Sequence, residues 1–164
     1  MTDRHGATEH HAAAGVDSKP SGSESRFPVP EGWPRGSGYS HGVVAEGRQV
    51  FVAGQIGWEP VTRKVVSGGL ATQARQAFQN ILAVLRAAGA HPEHLVRLTW
   101  FITNRDAYLD ARDAIGAAYR ETIGRHFPAM SVVVVSALLE PGAEIEIEAT
   151  AVVPSTRTTN STGV

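Results

Sequence analysis

Hydrophobic side chains recur at two periods along this chain. At period two, Ile145, Ile147, Ala149 and Ala151 alternate with Glu144, Glu146, Glu148 and Thr150, so a strand there carries an apolar row on one face and carboxylates on the other. At the helical period, Ala74, Phe78, Ile81, Leu82 and Leu85 form one stripe within residues 70–88, leaving Gln73, Arg75, Gln79 and Arg86 elsewhere, with Gly89 as the stop. A second helix is predicted from about 107 to 123, capped by Asn104 or Asp106 and ended by Gly124. Its buried side holds Tyr108, Ala111, Ile115, Ala118 and Tyr119.

The remaining apolar runs read as strands. Val43-Val44 and the run from Gln49 to Ala53 flank Glu46-Gly47-Arg48, the pattern of a hairpin. Gly54-Gln55-Ile56-Gly57 then interrupts the strand, as at a bulge or where backbone approaches chain or ligand closely. Residues 94–103, 129–137 and 143–153 supply three more strands, rich in β-branched and aromatic side chains. The predicted order is β-β-α-β-α-β-β, an α+β fold in which two helices cover one face of a single mixed sheet. The other face, bearing Glu146 and Glu148, is left to self-association.

Composition narrows the function classes. The 164 residues suit one domain, and 15 basic against 16 acidic side chains give a net charge of −1, which argues against a nucleic-acid or anionic-membrane partner. Cysteine is absent, which removes disulfides and thiolate chemistry and fits a reducing cytoplasm. No apolar run has the length of a membrane span, and the first residues lack the layout of a secretory signal. Residues 1–34 hold almost no large apolar side chain before Phe27 and read as a disordered tail in which His5, His10 and His11 are solvated. The domain is expected over 35–154, with a polar tail at 155–164. No histidine and carboxylate set has metal-ligand spacing, no nucleophile elbow occurs, and Gly54 to Gly57 lacks the lysine and length of a phosphate loop.

Four segments together carry a likeness. Gly38-Tyr39-Ser40, Val52-Ala53-Gly54-Gln55-Ile56, Pro128-Ala129-Met130-Ser131 and Ile145-Glu146-Ile147-Glu148-Ala149 resemble, in order, the motifs of the RidA/YjgF (Rid) family, over roughly residues 38–153. The resemblance implies a chorismate-mutase-like fold, a homotrimer with small-molecule clefts between subunits, and no metal or organic cofactor. Family members with the full motif hydrolyse enamines and imines, such as 2-imino acids, to oxoacids and ammonia. Two positions depart from the motif. Met130 stands where active deaminases carry an arginine, whose fork suits a substrate carboxylate as a thioether does not. Ala53 stands where a serine usually precedes the glycine.

The resemblance makes Glu148 the candidate catalytic residue, able to hold or activate a water for attack on a C=N carbon. Tyr39, Gly54, Gln55, Arg112 and Met130 are the candidate substrate-binding residues, Arg112 falling where the family often has an asparagine. Each also has an ordinary reading: Glu148 on a solvated strand face, Arg112 as a solvated helix arginine. Arg125, His41 and His126 border the same segments and read as surface groups, while Trp58 and Trp100 read as packing groups. Two functions follow, an enamine or imine deaminase with altered specificity and a non-catalytic ligand-binding trimer. A third, endoribonuclease activity, lacks the basic or aromatic track that single-stranded RNA requires.

Overall fold

The computed structural model describes residues 26–155; of the tails expected at 1–34 and 155–164, residues 1–25, with His5, His10 and His11, and 156–164 lie outside the described residues. Four strands form the main sheet: β1 (Arg48–Ile56), β4 (Leu95–Ile102), β5 (Ala129–Val134) and β6 (Ile145–Val153). Their order across the sheet is β1-β6-β4-β5. β6 runs antiparallel to both β1 and β4, and β4 runs parallel to β5. A two-stranded ribbon of β2 (Trp58–Glu59) and β3 (Lys64–Val65) leads into helix α1 (Leu70–Ala87), and helix α2 (Arg105–Thr122) crosses from β4 to β5. The sheet is therefore mixed and the fold α+β.

Period two builds the core of the sheet. Ile145, Ile147, Ala149 and Ala151 are buried, Glu148 is exposed, and Glu146 and Thr150 lie between. The apolar row meets Phe78, Ile81 and Leu85 of α1, all fully buried. α2 joins the same core through Ile115, Ala118 and Tyr119. Phe78 contacts both Trp100 of β4 and Tyr119 of α2, with ring centroids 5.3 and 5.4 Å apart, so both helices cover the same sheet face. Asn104 is the cap of α2: its side chain accepts from the backbone N–H groups of Asp106 and Ala107 at 2.9 and 3.0 Å. α1 ends at Gly89, whose φ of 65° is a left-handed conformation that glycine adopts without a Cβ clash.

Several expectations are corrected. Val43 and Val44 form no ladder with β1; the Val44 N–H instead donates to the Arg26 carbonyl at 2.9 Å. Arg26 and Phe27, at the end of the expected tail, touch the domain, while residues 28–34 are exposed. The Arg26 guanidinium donates to the Glu93 carbonyl at 2.8 Å and the Phe27 ring meets His126 edge-on. The β2–β3 ribbon was not foreseen, two residues per strand being too short to show a period. Gln73 belongs to the interior: its side chain donates to the Gly142 carbonyl at 2.9 Å and accepts from the Glu144 N–H at 2.8 Å. It clamps the loop that enters β6, which offsets the burial of its amide.

Among the described residues nothing covers the face of the sheet away from the helices. Phe51 is 74% exposed there, paired with Thr150 of β6 and diagonal to Glu148. β5 is an edge strand, joined on its outer side, among the described residues, by the bridge between Ser40 and Ala129.

Candidate functional site

The strand opening at Pro128 and the segment before β1 are stitched together. Ser40 donates its N–H to the Pro128 carbonyl at 3.0 Å and its hydroxyl to the Phe127 carbonyl at 2.6 Å. This sets Tyr39 beside the start of β5. Met130 pairs with Leu98 in the parallel ladder and so points to the helix side of the sheet, half-buried against the core. Between this corner and α2 lies a cavity of about 500 Å3, whose wall includes Tyr39, Arg112 and Met130. Three of the residues singled out in the sequence thus line one cavity.

Trp100, Tyr119 and Phe127 form its floor. Tyr119 stacks on Phe127 at 5.6 Å and on Trp100 at 6.4 Å between ring centroids, and its hydroxyl donates to the His126 carbonyl at 2.6 Å. Burial pushes the Tyr119 phenol well above the usual tyrosine range. Burial raises the Tyr108 phenol as well, and the nearby Arg112 guanidinium partly opposes this. Tyr108, Arg112, Gly116 and Arg120 all line the cavity from α2. Only Arg112 was singled out as a site residue in the sequence; the spacing of four residues would have found the others, because it repeats along one helix face.

Gly54, Gln55 and Glu148 lie elsewhere. The ladder between β1 and β6 shifts register between Val52 and Gln55, so Ala53-Gly54 forms the bulge that the two glycines suggested. Gly54 is in close contact with the side chain of Glu146: a Cβ at this glycine would overlap the Glu146 carboxylate. Gln55 folds back on the bulge, its amide donating to the Ala53 carbonyl at 3.2 Å. Glu148 opens instead into a shallow hollow of about 160 Å3 with Arg97, Thr99 and Thr150. β1 and β5 are opposite edges of the sheet, about 14 Å apart at the usual strand spacing. Within one chain the bulge and the Met130 cavity cannot form one pocket.

The other candidates take ordinary roles. The rings of His41 and His126 hydrogen-bond to the carbonyls of Pro34 at 2.9 Å and Leu95 at 2.7 Å. Among the described residues no cluster of histidine and acidic side chains has the makings of a metal site, and no helix is long and apolar enough to cross a membrane.

The chain is similar in sequence and fold to known proteins. The profile of the endoribonuclease L-PSP family matches residues 34–153. YyfB of Yersinia pestis, a solved member of the Rid protein family, is 37% identical and superposes with a TM-score of 0.63 over 71% of this chain and 87% of its own. The chain belongs to the Rid family. Other relatives include the human 2-iminobutanoate/2-iminopropanoate deaminase, 33% identical over 114 residues, which are 70% of this chain and 79% of the human protein. Protein DfrA of Myxococcus xanthus is 38% identical over 70% of this chain and 84% of its own. E. coli TdcF, solved with bound serine, is 32% identical at a TM-score of 0.57, covering 74% of this chain and 93% of that one.

Proposed function

We propose that the protein is an imine or enamine hydrolase of the Rid family that acts as a homotrimer, with each site assembled between two copies. The observation that carries this reading is the split of the site across opposite sheet edges. One copy offers the cavity with Tyr39, Arg112 and Met130; the other offers the bulge with Gly54 and Gln55 and the carboxylates of β6. The uncovered sheet face with Phe51 and the free edge of β5 are the surfaces that such an assembly would bury. Relatives named as 2-iminobutanoate/2-iminopropanoate deaminases support the reaction class.

In the proposed reaction a carboxylate takes a proton from water as the water oxygen bonds to the C=N carbon. The nitrogen gains protons, the C–N bond breaks, and a carbonyl compound and ammonia leave. Glu146 and Glu148 share the required strand face. Glu146 is the one seated on the bulge, its carboxylate lying against Gly54, while Glu148 lies one pleat further along.

The test is ammonia release from freshly generated imines and enamines, both neutral and carboxylate-bearing, with wild type, Glu146→Gln and Glu148→Gln. Turnover in the wild type and a loss of roughly a hundredfold or more in one glutamine variant supports the reading. No turnover on any member, with ligand binding retained, establishes instead a ligand-binding assembly that breaks no bond. Met130 favours that second reading, because it removes the carboxylate fork associated with deaminase activity.

A further inference from the structure

The face of α2 that borders the cavity carries two guanidinium groups. Arg112 and Arg120 lie on either side of Gly116, four residues away in each direction, and all three line the wall. Arg120 lies back along the helix over Gly116: a Cβ at that glycine would stand 3.3 Å from its Nη1. Neither arginine is neutralised by an ion pair; among the described residues, ion pairs join only Arg75 with Glu121 and Arg105 with Asp106. Among the described residues no aspartate or glutamate lines this cavity, and none there compensates its positive charge. Guanidinium groups recognise carboxylates through paired hydrogen bonds.

The remainder of the wall is apolar and aromatic, formed by Trp100, Tyr119, Phe127, Met130 and Val132. At about 500 Å3 the cavity falls within the usual range for small-molecule sites and greatly exceeds the volume of a three- or four-carbon acid. A further observation points to a ligand. Trp100 is 5% exposed, and its indole nitrogen is the buried side-chain nitrogen or oxygen that has no hydrogen-bond partner among the described residues. A buried donor is costly to leave unpaired, and this one belongs to a residue of the cavity wall.

We propose that Arg112 and Arg120 bind the carboxylate of a substrate with an aromatic or branched apolar body, so that the acid group is read from α2 and not from the strand position of Met130. The proposal takes the substrate to be an imine or enamine from the hydrolase reading, but its binding half stands on the cavity alone. Met130 then contacts the apolar body, for which a flexible thioether side chain is suited.

The experiment is calorimetric titration of the full-length protein with 3-phenylpropanoate, its neutral amide and propanoate. The wild type is expected to bind 3-phenylpropanoate at least tenfold more tightly than either of the others. Arg112→Ala and Arg120→Ala should each remove much of the acid-over-amide preference, and Arg112→Lys should restore part of it. Melting curves check that the variants are folded. Equal affinity for acid and amide, preference retained in the double alanine variant, equal binding of propanoate, or no binding of the phenyl acid would each overturn the proposal. Ammonia release separates the two readings: its absence with the preference intact overturns only the hydrolase, whereas turnover of neutral imines without the preference overturns only this assignment.

Discussion

Glu146 rests against Gly54, across the bulge that β1 makes where it pairs with β6. The space a Cβ would need is filled by the end of a flexible side chain, so a substitution there displaces the carboxylate before it disturbs the backbone. Gly54→Ala is expected to leave the melting temperature nearly unchanged. It should lower imine hydrolysis by roughly a hundredfold, the loss that misplacing a reacting group by about 1 Å can cause. Thermal scans paired with ammonia release read both effects, and unchanged turnover would separate Glu146 from the chemistry.

Met130 is the second point of leverage, because it shares the cavity with Arg112 and packs against the core. Met130→Arg places a fork on the strand and fills part of the apolar space. Turnover of small 2-imino acids should rise relative to bulky ones. The melting temperature should fall, since a third guanidinium enters a wall that, among the described residues, holds no carboxylate. A folded variant with the wild-type substrate order would show that the residue at this strand position does not set specificity.

The alternation of residues 145–151 and the stripe of α1 were legible because each repeats often enough for burial to impose a period. Gln73 was misplaced on the polar face, since its burial depends on the loop carbonyl of Gly142 and the N–H of Glu144, some 70 positions away in sequence. The contacts of Arg26 and Phe27 were hidden for a related reason: they are bonds to backbone carbonyls and ring edges, which composition does not register. The site was legible in its parts. Tyr39, Arg112 and Met130 meet because Ser40 is stitched to the start of β5, whereas Gly54, Gln55 and Glu148 stay apart because the sheet order puts β1 and β5 at opposite edges. A linear sequence shows neither relationship, and Arg120 stood outside the known motif altogether.

Assembly is testable through the open sheet face. Phe51, 74% exposed, stands where a neighbouring copy is expected to pack, so Phe51→Lys should weaken association with little effect on the isolated fold. Light scattering is expected to give about three chain masses for the wild type and a smaller, concentration-dependent mass for the variant, with turnover falling in step. A wild-type monomer at all concentrations would remove every site that needs two copies.

Alkaline pH should weaken the fold through the tyrosines of the cavity. Tyr119 and Tyr108 hold their protons more tightly in the folded chain than an exposed phenol does, because burial disfavours the phenolate. A raised folded pKa gives stability that is complete below the unfolded value of about 10. It is lost as pH rises beyond that, because the unfolded chain ionises first. Tyr119→Phe removes the hydrogen bond to the His126 carbonyl, which should lower stability near neutral pH by about 1 kcal/mol. The same change removes the ionising group, so the decline above about pH 10 should be shallower in the variant. Urea midpoints measured across that range would show the two curves converging. Parallel curves would assign the alkaline loss to groups other than Tyr119.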